Sequence, residues 1–278
     1  MMEMSHIFTY RDKEIYCHHT MDEKPRAADF QMHAHEWMEI FYLISGKCSY
    51  LVEGSRYEVQ PGDILIMRAA ETHMPEIGED ESYERIAIHF SPSLLEAIPG
   101  GEKLLKPFMD RPLGHRNHYA CSGEGDERLR AAFGAFDFEG IADVKLNLMS
   151  RLLMFLTVLC SVYEKQNVAG SVGDSFQSQL VAYVNEHLFE DISLQSIADA
   201  FYRSRSQISR VFRQSTGSPL WEYVTIKRLL SAQAMLQRGV SASDACLACG
   251  FSDYSSFFRA YRARFGHSPK SDYGKEIK

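Results

Sequence analysis

Long hydrophobic runs are missing from this 278-residue chain. The most apolar stretch, LLMFLTVLC at residues 152–160, is less than half the length needed to cross a bilayer, so no membrane partner is expected. An apolar segment is also missing near the N-terminus. MMEMSHIFTYRDKEIYCHH carries acids and histidines instead, which reads against a secretory signal. Cysteine is scarce: the six (Cys17, Cys48, Cys121, Cys160, Cys246 and Cys249) are mostly scattered, which points to reduced thiols in a cytoplasm, not a disulfide framework. Positive charge is short in the first part, where residues 1–172 hold 17 Lys+Arg against 27 Asp+Glu. Residues 173–278 reverse the balance, 13 against 10, so any nucleic-acid surface belongs there. What remains is ordinary globular composition, 45% hydrophobic and 24% charged, at a length that suggests two domains.

From Ile15 to Phe90 the apolar pattern has period two, broken by turn residues at SGK (45–47), VEGSR (52–56) and QPGD (60–63). Short runs such as FYLI, SYLV, DILIM and RIAIHF, rich in β-branched and aromatic residues, predict an antiparallel sandwich or barrel over residues 1–120. Over 121–165 the spacing becomes helical, residues 166–175 read as a linker, and 176–278 is helical throughout.

The last part contains an internal repeat. Ser193 matches Ser241 at an offset of 48, Arg210 matches Arg259 at 49, and Pro219 and Tyr223 match Pro269 and Tyr273 at 50. Each copy reads as a short helix, a tight turn and a longer helix, with Ser204 and Asp253 as N-caps of the second helices. This is a helix-turn-helix, whose second helix enters the major groove. Arg203, Arg205, Arg210 and Arg213 accompany the first such helix, and Arg259, Arg262 and Arg264 the second. One basic face alone is as often plain solvated surface; two at matched register favour DNA. Cys246 and Cys249 lack the second pair a zinc site needs and are read as core.

On these residues (the IADAF segment, Ile208, Phe212, Thr216-Gly217-x-Pro219, the KRLLSAQAMLQ helix and CGFSDYSSFFRAYRARFG) the segment from about 176 to 273 resembles the DNA-binding domain of the AraC/XylS family of bacterial transcription regulators. Ala245-Cys246 and Phe201-Tyr202 depart from the family pattern. The resemblance implies base contacts from Ser206, Ser209 and Arg210, then from Tyr254, Ser255, Ser256 and Arg259, with Arg205 reaching a base or a phosphate.

HAHEWMEIFYLISG (33–46) poses the other question. Alternation places His33, His35, Trp37, Glu39 and Phe41 on one strand face. The spacing H-x-H-x3-E-x6-G resembles the first motif of the cupin β-barrels, and Gly62, Arg68, Ala70 and His73 follow the spacing of the second, although Arg68 and Ala70 replace its proline and glycine. His33, His35, Glu39 and His73 then form a potential ligand set for a divalent metal. Three readings stand: a cupin metalloenzyme carrying a DNA-binding appendage, an effector-binding barrel with His33, His35, Trp37, Glu39, Phe41 and His73 around the ligand, or a structural barrel. The attached helix-turn-helix pair favours a sensor without catalytic residues. His18, His19 and His89 are taken as structural.

Ile141, Val144, Leu148, Leu152, Phe155, Leu159 and Val162 follow three- and four-residue steps, so 121–165 is expected to be a helical dimerisation segment, with packing on its own barrel as the alternative. The whole reads as α+β multidomain: a cupin-like barrel, the helical segment and a double helix-turn-helix domain. Its expected role is a cytoplasmic, homodimeric regulator, an activator by family tendency. The expected partners are promoter DNA, a small polar effector such as a sugar, and RNA polymerase. A ligand-independent regulator whose barrel only dimerises is the further alternative.

Overall fold

The period-two runs of the first half form nine strands among the described residues of a computed structural model, which describes residues 5–78, 82–120, 127–134, 143–166 and 175–275. They are β1 (Ser5–Arg11), β2 (Ile15–Asp22), β3 (Met38–Ser45), β4 (Cys48–Val52), β5 (Ser55–Val59), β6 (Ile64–Met67), β7 (His73–Ile77), β8 (Tyr83–Phe90) and β9 (His118–Tyr119). Two sheets result, in the orders β1-β2-β8-β3-β6-β9 and β5-β4-β7. The pairings β1–β2, β2–β8, β3–β8, β3–β6 and β4–β7 are antiparallel. The expected antiparallel β domain followed by a helical domain is therefore the observed architecture. Gly46 makes the β3–β4 turn with φ of +98°, and a Cβ there would meet the Ser82 carbonyl oxygen at 2.5 Å. That contact alone requires glycine.

Alternation along β3 divides the core in two. Met38, Ile40 and Tyr42 point to one side and join Leu148, Leu152, Phe155, Leu156 and Leu159 of a long helix. Phe41 and Leu43 point to the other and meet Cys48, Tyr50 and Val52 of the second sheet. β4 and β6 are buried along their whole length because both of their faces are covered.

The helices of this half are α1 (Ser93–Glu96), α2 (Lys106–Met109), α3 (Glu127–Gly134) and α4 (Val144–Gln166); the first two had no signal in the sequence pattern. Phe133 of α3 stacks on Tyr42 and meets Phe155 of α4 edge-on, which fixes the helix pair on the sheet. The apolar stripe of α4 packs on the chain's own sheet, which is the alternative reading of this segment. Leu148, Leu152, Phe155 and Leu159 are at most 1% exposed and Val162 is buried, all against the chain's own sheet. Each such burial contributes roughly 1.5–3 kcal/mol, so this face is held by its own domain. α4 is long and apolar enough to cross a membrane, but its inward half is this core. Ile141 lies outside the described residues, as does 167–174 of the 166–175 linker; the main division between two compact units falls in that stretch.

The second unit carries α5 (Phe176–Glu186), α6 (Leu194–Ala200), α7 (Arg205–Thr216), α8 (Leu220–Gln237), α9 (Ala242–Ala248) and α10 (Tyr254–Phe265). Its repeat is visible in the caps. Ser193, Ser204, Ser241 and Asp253 each accept a hydrogen bond from the backbone N–H three residues on. Gly217 and Gly266 close α7 and α10 in the left-handed conformation. One core holds Ile197, Ile208 and Phe212 with Leu220, Tyr223 and Val224 of α8. The other holds Cys246, Cys249, Phe257 and Tyr261 with Leu229, Ala232 and Leu236 of the same helix. Both cysteines are free thiols in that core, as read from the sequence.

Candidate functional site

On α7 the buried side chains are Ile208, Phe212, Ser215 and Thr216, and the opposite face exposes Arg205, Ser206, Ser209, Arg210 and Arg213. On α10 Phe257 and Tyr261 are buried while Tyr254, Ser255, Arg259 and Arg262 are exposed; Ser256 is half-buried. Every residue assigned to base contact thus lies outside the core of its helix. Among the described residues none of Arg205, Arg210, Arg213 or Arg259 forms an ion pair within 4 Å of a carboxylate, so their charge is available to an anionic polymer. Arg259 Nη2 donates to Ser256 Oγ at 3.1 Å and Ser206 Oγ lies 3.1 Å from Ser204 Oγ, so both hydroxyls are engaged without DNA. Arg203 differs from the others: its guanidinium lies 5.2 Å from the centre of the Phe176 ring.

The turn of each motif holds one residue in the left-handed conformation. Gly250 in the second has φ of +74°, and a Cβ there would lie 2.5 Å from the Phe189 carbonyl oxygen. The corresponding residue in the first is Tyr202, with φ of +52° and 96% exposed, so its side chain has room but its backbone is strained.

The structure brings together His33, His35, Glu39 and His73. One potential ligand atom from each lies within 4.8 Å of the other three. The strand, however, starts only at Met38, after bends at Glu36 and Trp37. His33, His35 and Trp37 therefore come from the irregular stretch before β3, not from one strand face as alternation predicted. Of the predicted effector contacts, Trp37 is half-buried, whereas Phe41 is 1% exposed with its ring 4.8 Å from Tyr50. Phe41 is part of the core between the sheets and offers no free face to a ligand.

His73 is positioned by the loop before it. Its Nδ1 lies 2.9 Å from the Glu71 carbonyl oxygen, which directs Nε2 to Glu39 Oε2 at 3.1 Å. Burial would favour the neutral ring, but the Glu39 carboxylate outweighs it and raises the His73 pKa. Glu71 is itself fully buried and receives both terminal nitrogens of Arg111 at 2.7 Å, with the N–H of Arg68 and Gly114 and the Asn117 amide. Burial alone would raise its pKa; Arg111 and these donors hold it below the usual range. Ala70 adopts φ of +60°, which explains why a glycine suits this position of the motif. The Arg111–Glu71 lock thus holds the loop in which Arg68 and Ala70 depart from the motif.

His89 is the residue the sequence reading missed. It pairs in register with Glu39, and its Nδ1 is 3.7 Å from Glu39 Oε2. His18 stacks beside it at 5.6 Å. The available signal was their alternation within β2 and β8; what no local pattern carries is that these strands adjoin β3.

Three histidines and a carboxylate at this separation fit an N/O-coordinated divalent transition metal, and the bond from His73 Nδ1 to a backbone carbonyl is the orientation metal-ligating histidines commonly have.

Comparison with known proteins bears on both halves. Residues 21–137 match the model of an AraC-like ligand binding domain, and residues 197–272 match that of a helix-turn-helix domain. The chain is 26% identical over 249 residues to the HTH-type transcriptional activator RhaS of Enterobacter sp. (strain 638), covering 88% of each. It is 25% identical over 248 residues to the protein of the same name from Shigella sonnei (strain Ss046), covering 87% of each. Among solved structures, ToxT from Vibrio cholerae O395 aligns over 94% of this chain and 97% of its own, at 14% identity and a TM-score of 0.37.

Proposed function

Because the chain belongs to the AraC family of transcription regulators, with a ligand-binding domain ahead of a helix-turn-helix domain, we propose that α7 and α10 read one operator together while the sheet domain holds the controlling effector. The observation that carries the DNA half is the pair of capped helices in matched register, each exposing arginines that form no close ion pair with a carboxylate. Arg210 and Arg259 take the base edges, and Ser206, Ser209, Tyr254, Ser255 and Ser256 flank them. Arg205 meets a base or a phosphate.

The effector is a small polar molecule, a sugar in class, bound at the His33–His35–Glu39–His73 cluster. The cluster also suits a divalent metal, which when bound would supply a Lewis-acidic anchor for an effector oxygen. Binding, not turnover, is the role assigned to it, since the similar proteins are named as transcriptional activators. On the same ground the protein works in the cytoplasm as an activator, with RNA polymerase as a partner. A homodimer would use the outward side of α4, where Leu146 is 65% and Met154 47% exposed.

The test is a titration of operator DNA. Arg210→Ala and Arg259→Ala should each weaken binding by about 1–3 kcal/mol and relax preference at one base pair. Unchanged affinity in both, with the fold intact by circular dichroism, would reject these helices as the reading elements.

A further inference from the structure

Tyr202, Arg203 and Ser204 make the turn between α6 and α7, and two of the three side chains are occupied by the fold. Ser204 caps α7 by accepting from the backbone N–H of Gln207. The Arg203 guanidinium lies 5.2 Å from the centre of the Phe176 ring. Tyr202 is different. Its backbone N–H donates to the Asp199 carbonyl oxygen at 3.3 Å, but its side chain makes no hydrogen bond, ring contact or ion pair among the described residues. At 96% exposure the ring adds nothing to the core.

The position is also unfavourable for a tyrosine. With φ of +52° the residue stands in the left-handed region, which glycine enters freely and asparagine at a small cost. A strained residue that contributes nothing to packing points to a role outside the fold. The second motif has no room for a counterpart. A Cβ on its Gly250 would lie 2.5 Å from the Phe189 carbonyl oxygen and 3.0 Å from the Arg228 guanidinium carbon. Of the two turns, the first alone can project a side chain.

What that side chain meets follows from its place in the motif. In a helix-turn-helix the first helix crosses the sugar–phosphate backbone and the second enters the major groove. Tyr202 lies just past the end of α6 and three residues before Arg205, where α7 begins. Its ring therefore belongs at the wall of the groove, beside the backbone, and not at a base edge. A phenol hydroxyl is a hydrogen-bond donor suited to a phosphate oxygen, and such contacts fix orientation without reading sequence. We infer that Tyr202 is a backbone contact of the first motif, its hydroxyl donating to one phosphate beside the subsite that α7 reads. The inference rests on the reading of α7 and α10 as the DNA-reading helices.

The experiment uses the full-length chain. It first selects a duplex from a random-sequence library, and that duplex and a scrambled one of equal composition serve as probes. Both are titrated with wild type, Tyr202→Phe, Tyr202→Gly and Arg210→Ala. Tyr202→Phe should bind about tenfold more weakly, the effect of one lost hydrogen bond to a charged group, and by the same factor on both duplexes. Tyr202→Gly should lose at least as much while the domain unfolds no more easily, a combination that misfolding cannot produce. The slope of log affinity against log salt should keep its wild-type value in both, because a neutral phenol releases no counterion. Arg210→Ala should instead act mainly on the selected duplex. Phosphates replaced one at a time by methylphosphonate should reveal one position where wild type loses binding and Tyr202→Phe does not. Equal affinity of wild type and Tyr202→Phe would overturn the contact, as would equal losses for the two proteins at every phosphate. If Arg210→Ala weakens binding and the Tyr202 variants do not, the contact falls and the reading helices stand. If the wild-type chain selects no duplex, both fall together.

Discussion

At the scale of single residues, the positions that break a local rule are the informative ones. Tyr202 holds a left-handed backbone at the turn of the first motif, where its counterpart is Gly250, and its ring is 96% exposed. A non-glycine residue in that conformation costs about 1–2 kcal/mol, of which the flexibility of glycine in the unfolded chain recovers part. Tyr202→Gly should therefore raise the stability of the helical domain by up to about 1 kcal/mol in denaturant unfolding. A loss of stability would mean that the ring has a role its exposure does not suggest. Much at this scale was legible. The Ser204 and Asp253 N-caps, the buried Cys246 and Cys249, and the convergence of His33, His35, Glu39 and His73 all follow from spacing, because caps, turns and motif geometry are local. His89 was not legible, because its place beside Glu39 depends on pairing between β3 and β8, some 50 positions apart.

Among the elements, α4 shows what a periodic pattern leaves open. Three- and four-residue steps specify an apolar stripe but not the surface that covers it. The sequence left a second chain and the chain's own barrel both open as the cover; the structure supplies the sheet face of Met38, Ile40, Ile64 and Ile88. Substitutions in the stripe should therefore act on folding before they act on assembly. Leu152→Ala is expected to cost about 2–5 kcal/mol, read as a lower unfolding midpoint at unchanged sedimentation behaviour. Met154→Glu, on the outward side, should leave stability within about 0.5 kcal/mol and bear only on association. Loss of a dimer on Leu152→Ala at unaltered stability would restore the stripe as an interface. The stretch before Met38 is the other lesson: bends at Glu36 and Trp37 break the expected alternation, yet the stretch delivers His33 and His35 to the cluster.

For the whole molecule, charge and linkage set what can be measured. The basic excess sits in residues 173–278 behind an acidic first part, so DNA affinity should fall steeply with salt. Effector control then obeys reciprocity. A sugar that strengthens operator binding by some factor must itself bind tighter to the operator complex by the same factor. Calorimetry with and without operator DNA checks this directly, and unequal factors would mean that more than one process is being read. The shared helix α8 has a consequence of another kind. It contributes Leu220, Tyr223 and Val224 to one core and Leu229, Ala232 and Leu236 to the other, so α7 and α10, the helices proposed to read the operator, are mounted on one rod like the jaws of a fixed gauge. A single base pair inserted between the two operator subsites turns the second away by about a tenth of a helical turn. Promoters under such a regulator are free to drift by base substitution within a subsite, but insertions and deletions between subsites are closed to them.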